Sequence, residues 1–467
     1  ETLVISDERT APLSQWIFAK SDGNPFVVKT LLQCLYDERY IFRTECGWDY
    51  DDSVIERSRE RTTILDIMKH KIDLLPSDAR DVLSLSCCLG NSFHFNFLSM
   101  LMDRSNSEII EQLLPVFSSD LAYVMDSYFF FRHESTQEAM SSQLSDDQKN
   151  SLNFRIGTMF CEYNIHENAE YLFYIVEHLN KGKQVLFDME DGPSKTRKIL
   201  NVAKYNQFAG TKAKNSLAYS LAHSYYLSAI EYIQHLVRDE SSLSQYHDFV
   251  FSLHLDFAEV LLLVGKPMEA RDVCDTLLKK STSPIEEVRV YLLLITLESY
   301  YHNRRAAVEA ATTSLKKLGL QLPSESEYEQ EYVRQLEQTE RYVEQQKDLY
   351  REEYERDGLA HVLLTHLPLA TLERMAYMSR VLCLSLDLFF LESVSMYTAI
   401  TALVLNETLK HGITPVSPRL FACFGGTLCT NQQRERKLLA KEFGLLALEL
   451  SRERFRANIM QQYKVLS

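Results

Sequence analysis

Residues that interrupt regular structure are scarce: 14 Gly and 11 Pro are spread over 467 positions, which leaves little room for linkers and predicts that most of the chain folds. Long apolar runs are missing too. The nearest, around Val381 to Phe390, is broken by Ser385 and Asp387 and falls short of the ~18 to 20 residues of a membrane span, so a soluble protein is expected. Nor is there an excess of positive charge. Against 65 acidic side chains stand 50 basic ones, a net −15, which argues against wholesale binding to nucleic acid or to an anionic membrane. The nine cysteines, Cys34, Cys46, Cys87, Cys88, Cys161, Cys274, Cys383, Cys423 and Cys429, form no paired framework and no Cys-x-x-Cys, the pattern of reduced, intracellular thiols. Cys87 and Cys88 fall in the apolar stretch Val82 to Leu89, where cysteine packs as a small hydrophobe and burial raises the thiol pKa, against a redox-sensing role. The chain opens on Glu1 with no signal peptide ahead of the fold and so reads as a piece excised from a longer protein.

Catalytic signatures are equally sparse. There is no Gly-x-x-x-x-Gly-Lys-[Ser/Thr] to cradle phosphates, and no glycine-rich kinase loop, His-Arg-Asp, Asp-Phe-Gly or Gly-x-Ser-x-Gly. On its own the segment is expected neither to hydrolyse ATP nor to transfer phosphate, with no catalytic residue, no metal ligand and no cofactor site complete within it. His166-Glu167-Asn168-Ala169-Glu170 approaches the zinc motif His-Glu-x-x-His but puts Glu170 where the second imidazole belongs; a capping cluster at a helix start is the expectation. His247 with His254, and His361 with His366, have helical spacing but no accompanying cysteine or carboxylate framework, and are expected to be core or surface residues.

What the chain does contain is helix pattern. After the turn Gly23-Asn24-Pro25, a helix is expected from Pro25, where the first helical position needs no N–H. Tyr40 to Arg43 and Trp48 to Tyr50 flank Glu45-Cys46-Gly47 as a short hairpin. Ile64, Ile67, Met68, Ile72 and Leu75 recur at helical spacing up to Pro76, and a second helix with its own capping chemistry is expected from Ser77-Asp78 and to pack against the first. A second hairpin, Leu121 to Met125, Asp126-Ser127, then Tyr128 to His133, completes a winged-helix region. Its basic residues Arg57, Arg59, Arg61, Lys69 and Lys71 are opposed by Asp49, Asp51, Asp52, Glu56 and Glu60, so DNA binding there would be weak.

From about Leu152 the pattern is helix, short break, helix. Gly265 to Lys280 and Asn303 to Leu318 superpose with a shift of 38 residues, near the ~34 of tetratricopeptide repeats. Further helices carry the stripes Leu217, Leu221, Tyr225, Ala229, Ile233 and Leu253, Phe257, Val260, Leu261, Val264. Ser324 to Gly358 has 12 acidic and 5 basic residues and is expected to be one long, exposed helix with i,i+4 pairs such as Glu337 with Arg341. The resulting fold class is mainly α, a winged-helix region followed by a tetratricopeptide-like α-solenoid. Its parts are 1–42 (end of a helical lid), 43–150 (winged-helix-like), 151–323 (repeats), 324–358 (acidic helix) and 359–467 (repeats continued).

Several phrases resemble a known family. Gly23-Asn24-Pro25 and the helix after it resemble the end of the nucleotide module of STAND-type AAA/P-loop ATPases. Phe131 to Ala139 with Leu152 to Gly157 resembles the junction where such modules enter their repeats, except that Glu134 stands where the family usually has Asp. Leu172 to Gly182 is similar to the first repeat helix of large multi-domain signalling kinases, fungal hybrid histidine kinases among them, and the resemblance resumes at Leu405 to Gly412, Ser417-Pro418 and Gly425-Gly426. It implies a parent protein with kinase-like, ATPase-like, GAF and histidine kinase domains, binding ATP or ADP outside this segment. It further implies a cytoplasmic regulatory segment of a stress-type phosphorelay whose partners are proteins or other domains of the same chain, with oligomerisation through parts not present here. By the same resemblance Pro25 is a candidate adenine contact, and His178 packs within a helix pair instead of accepting phosphate. A free-standing repeat adaptor and a nucleotide-driven transcription regulator are the alternative readings.

Overall fold

The computed structural model describes residues 7–37, 39–44, 47–52, 64–162, 171–236, 244–429 and 433–455, and these are mainly helical. Two compact units share the chain, Glu1–Ala209 with Glu231–Leu236, and Gly210–Ile230 with Val237–Ser467.

The first unit begins with α1 (Asp7–Ser21) and α2 (Pro25–Asp37), followed by the antiparallel hairpin β1 (Ile41–Thr44) and β2 (Gly47–Tyr50). Leu13, Ile17, Val27, Leu31, Leu35, Ile41 and Tyr50 form their common core. Next come α3 (Ile64–Asp73), α4 (Ser77–Leu89), β3 (Ser92–His94), α5 (Asn96–Met102), α6 (Asn106–Ser118), β4 (Ala122–Met125), β5 (Tyr128–Phe131) and α7 (Glu134–Gln143). Asp126 and Ser127 both have positive φ, the mirror-image turn that suits the twist of a two-residue hairpin. The sheet has three strands in the order β3-β5-β4, all antiparallel, where two were expected. Two further expectations fail here. α4 starts at Ser77 as expected, but Pro76 occupies its cap with no side-chain hydrogen bond, so the expected capping chemistry is missing. And α3 and α4 both lie against α7 instead of pairing chiefly with each other: the Thr136 hydroxyl of α7 reaches Met68 of α3, and the Gln137 amide of α7 donates to the Cys87 carbonyl of α4 at 2.9 Å. Arg57, Arg59 and Arg61 lie outside the described residues, as do His166 to Glu170.

Helices α8 (Asp146–Glu162), α9 (Tyr171–Lys181), α10 (Lys183–Phe187), α11 (Pro193–Asn215) and α12 (Tyr219–Leu236) follow, the division between units falling inside the last two. On α12 the buried stripe is Ala222, Tyr226, Ala229, Ile230 and Ile233, while Leu217 and Leu221 are exposed. The expected stripe was displaced at its start because Leu217 belongs to the preceding turn, where its φ is positive.

In the second unit α13 (His247–Leu263), α14 (Pro267–Lys280), α15 (Pro284–Tyr300) and α16 (Arg304–Lys317) stack as successive antiparallel hairpins. The starts of α13 and α15, 247 and 284, and of α14 and α16, 267 and 304, each differ by 37 residues. The repeat is therefore 37 long, not 38, and it brings Ala270 and Cys274 of one helix into register with Ala307 and Ala311 of the other, all four fully buried.

The stack then departs from sequence order. Its next layer on α16 is α19 (Glu373–Glu392), while α17 (Tyr328–Leu349) packs on α20 (Val394–His411). The acidic stretch is thus not one exposed helix: α17 buries Tyr328, Leu336 and Val343 together with Gln335 and Thr339, and α18 (Arg351–His366) follows and is itself interrupted at Gly358. The polar members of that stripe are satisfied by Asn406 of α20, whose amide donates to the Gln335 carbonyl at 2.9 Å while its oxygen accepts from Thr339 at 3.0 Å. Glu337 and Arg341 do pair, at 3.4 Å on the exposed face, a contact that contributes a few tenths of a kcal/mol. Finally α21 (Ser417–Cys429) and α22 (Arg434–Glu449) close the unit around Phe421, Phe424 and Phe443.

Candidate functional site at the entry to the repeats

Pro25 is the first residue of α2 and is exposed. The turn ahead of it is fixed by Asn24 N–H donating to the Ser21 carbonyl at 2.9 Å and Val28 N–H donating to the Asn24 carbonyl at 3.0 Å. Gly23 has φ +74°, and a Cβ there would stand 3.2 Å from the Phe18 ring, so both backbone conformation and space call for glycine.

A denser arrangement lies where α8 and α9 pack together. Asn153 on α8 is buried; its amide nitrogen donates to the Lys149 carbonyl at 2.7 Å, which leaves its oxygen to accept from His178 Nδ1 on α9 at 2.8 Å. His178 therefore carries its proton on Nδ1. Burial, aided by the charge of Lys181, pushes the His178 pKa down to about 4, so the ring is neutral at pH 7. It stands edge-on to Tyr174 with centroids 4.3 Å apart. At the end of α9, Gly182 touches the backbone of α8: a Cβ there would lie 2.5 Å from Phe154 N and 2.8 Å from the Asn150 carbonyl oxygen.

This helix pair is tied on both sides. Toward the strand-containing part, the Tyr174 hydroxyl donates to the Leu89 carbonyl of α4 at 2.7 Å, and Arg155 donates to the Leu101 carbonyl of α5. Toward the later helices, Asn180 and Asn206 of α11 exchange reciprocal amide hydrogen bonds of 2.9 and 3.0 Å, and the Tyr232 hydroxyl of α12 donates to the Leu179 carbonyl at 2.9 Å. Such bonds join rigid elements directionally, and losing one partner leaves a buried polar group unsatisfied at a cost of ~1 to 3 kcal/mol. The packing role expected of His178 is what the structure shows. Asn153, Asn180 and Asn206 were not anticipated, although asparagine inside an apolar helical stripe is itself the signal, since it is favoured at caps and turns and needs a partner when buried mid-helix.

The four histidines with helical spacing are separately engaged: His247 Nε2 with Glu286 at 3.0 Å, His254 Nδ1 with the Val250 carbonyl at 2.8 Å, His361 Nε2 with Asp357 at 4.0 Å, and His366 Nε2 with Glu353 at 2.9 Å. Cys87 is buried, and a hydrogen bond to Cys88 together with that burial pushes its thiol far up. Cys88 departs from expectation: the hydrogen bond from Cys87 shifts it down. Among the described residues no helix is long and apolar enough to cross a membrane.

No family model matches the chain. Over 340 residues it is 22% identical to the Hybrid signal transduction histidine kinase G of Dictyostelium discoideum, a match covering 60% of this chain and 10% of that protein. The chain thus spans about a tenth of the length of that curated relative, and the similarity fits the resemblance drawn from its motifs. Among solved structures, a Signal Transduction ATPase with Numerous Domains (STAND) protein with a tetratricopeptide repeat sensor, from Pyrococcus horikoshii, aligns at 11% identity and a TM-score of 0.28, covering 99% of this chain and 72% of the other. At that score the superposition carries no argument.

Proposed function

We propose that this chain is the regulatory, signal-transmitting segment of a larger cytoplasmic signalling protein of the hybrid histidine kinase type, acting in a phosphorelay through contacts with proteins or with other domains of the same chain. The observation that carries the reading is the 340-residue similarity to a hybrid histidine kinase; the paired tethers on α8 and α9 supply a physical route. A displacement of the strand-containing part pulls on Leu89 and Leu101, and α9 passes it to α11 and α12 through Asn180 and Leu179. The region 43–150 is read as winged-helix-like, supported by the order of its described elements from 64 to 131, two helices, a strand, two helices and a hairpin, and by the sheet order β3-β5-β4. Its role here is that of a joint, since Lys69 and Lys71 are the basic residues of α3 and sit beside Asp66 and Asp73.

In the parent protein ATP or ADP is bound upstream, and Pro25 touches the adenine from its exposed turn; Pro25→Ala in the full-length protein is expected to weaken ADP binding, and equal affinity would remove that role. The reading as a whole is tested in the full-length protein by measuring histidine autophosphorylation of wild type and of Asn180→Leu, which cuts the amide link while leaving every catalytic domain intact. A rate changed several-fold supports transmission through the joint. An unchanged rate in a stably folded variant refutes it.

A further inference from the structure

The second unit carries an apolar rim that its own core does not use. Three helix turns share one end of the stack: α13 to α14 at 263–268, α15 to α16 at 300–304, and α19 to α20 at 392–394. Two contacts place them side by side. Arg271, one turn into α14, pairs with the buried carboxylate of Glu298 near the end of α15, which also accepts from Asn303 at 2.8 Å. Arg304, at the start of α16, pairs with Glu392 at the end of α19 at 3.0 Å. Projecting from the three turns are Met268, Tyr300, Tyr301, Phe390, Leu391 and Val394, between 44% and 71% exposed. Large side chains exposed to that degree present a little over 100 Å² apiece, roughly 600 to 700 Å² summed over the three turns.

We propose that this rim is an isologous dimer interface and that its occupant is the same rim of a second copy. Roughly 600 to 700 Å² per copy comes close to the ~800 Å² that each partner contributes to a stable interface of standard size. The charges at the rim point the same way. Lys266 is answered by Glu269, Arg271 by Glu298 and Arg304 by Glu392 within the same chain, and the remaining charges there, exposed Arg305 and Glu329 beside Ser395, are of opposite sign, so on a protein of net charge −15 this edge has its charges nearly balanced. Two copies approach there with little like-charge repulsion, and no surplus of one sign selects a partner of the other. Interfaces between identical subunits are also the more apolar kind. A two-fold contact needs a patch complementary to itself, and an aromatic and aliphatic edge with internally paired charges meets that requirement.

The experiment is sedimentation velocity on the whole chain from about 1 to about 200 µM, comparing wild type with Tyr300→Asp, with Leu391→Asp, and with the control Leu349→Asp, an equally exposed apolar residue of α17 away from the rim. Wild type and control are expected to dimerise with a micromolar Kd, and each rim variant to weaken the dimer at least ~30-fold with an unchanged melting profile. As a second reading, amide exchange at 263–268, 300–305 and 390–394 slows in wild type as concentration rises. A chain that stays monomeric throughout, or a dimer that tolerates both rim substitutions, overturns the proposal. Should Tyr300→Asp unfold, Leu391→Asp and the exchange measurement decide.

Discussion

Leu277→Ala tests whether the second unit behaves as a stack of near neighbours. Leu277 lies on α14 and is 5% exposed, packed in one cluster with Phe251 and Ala258 of α13, Cys274 of its own helix, and Val290 and Leu294 of α15. The substitution deletes three buried carbons, worth ~0.8 kcal/mol each or ~2.4 kcal/mol of transfer free energy. A residual cavity of some tens of Å³, at ~24 cal/mol per Å³, adds about 1 kcal/mol. The expected loss, about 3.5 kcal/mol, corresponds to roughly a 300-fold change in a local opening equilibrium. Because a repeat contacts chiefly its neighbours, the loss should appear in hydrogen exchange first over residues 253–297, which contain Leu277 and parts of the two helices against it, and fade toward α21 and α22. A uniform rise across the unit would refute the near-neighbour reasoning in favour of a single cooperative globule. Unchanged exchange at 253–297 would refute the packing account of Leu277.

His178, buried and held near pKa 4, has a pKa of ~6.5 once unfolded, so the unfolded chain takes up the proton first as pH falls. Its contribution is fully present above pH 6.5 and is lost between 6.5 and 4; from pH 7 to pH 5 the loss is about 2 kcal/mol. Urea denaturation at the two pH values should show that difference in wild type and a smaller one in His178→Gln, and equal slopes would exclude the histidine as its source. Gly182→Ala forces a methyl group into the α8 backbone at Phe154 and should cost ~1 to 3 kcal/mol, read as a lowered Tm. A neutral result would mean that α8 and α10 separate easily.

Some of this architecture was legible in the residues. Pro25 starts a helix because it lacks an N–H that the first turn does not use, and Asp126-Ser127 between two apolar runs can hardly be anything but a hairpin turn. Amphipathic stripes such as Leu253, Phe257, Val260 and Leu261 mark buried faces because helical geometry places them on one side. These are local properties, set within a turn or two of chain. Other features depend on what a segment meets. Ser92-Phe93-His94 is too short to announce itself as a strand and becomes one because β5 pairs with it. The repeat is one residue shorter than the match of Gly265 to Asn303 suggests, because the left-handed turn residue equivalent to Gly265 is His302. Helix α17 looked like a solvated acidic rod, since Gln335 and Thr339 hide its buried stripe until Asn406 satisfies them from α20. The sequence by itself determined a helical protein with repeats and without the phosphate-binding or kinase motifs sought. Only the tertiary structure decided that α19 instead of α17 stacks on α16, and that a handful of buried amides and phenols lock α9 to its neighbours, because the partners that make those choices favourable are separated by tens of residues and meet only in the folded chain.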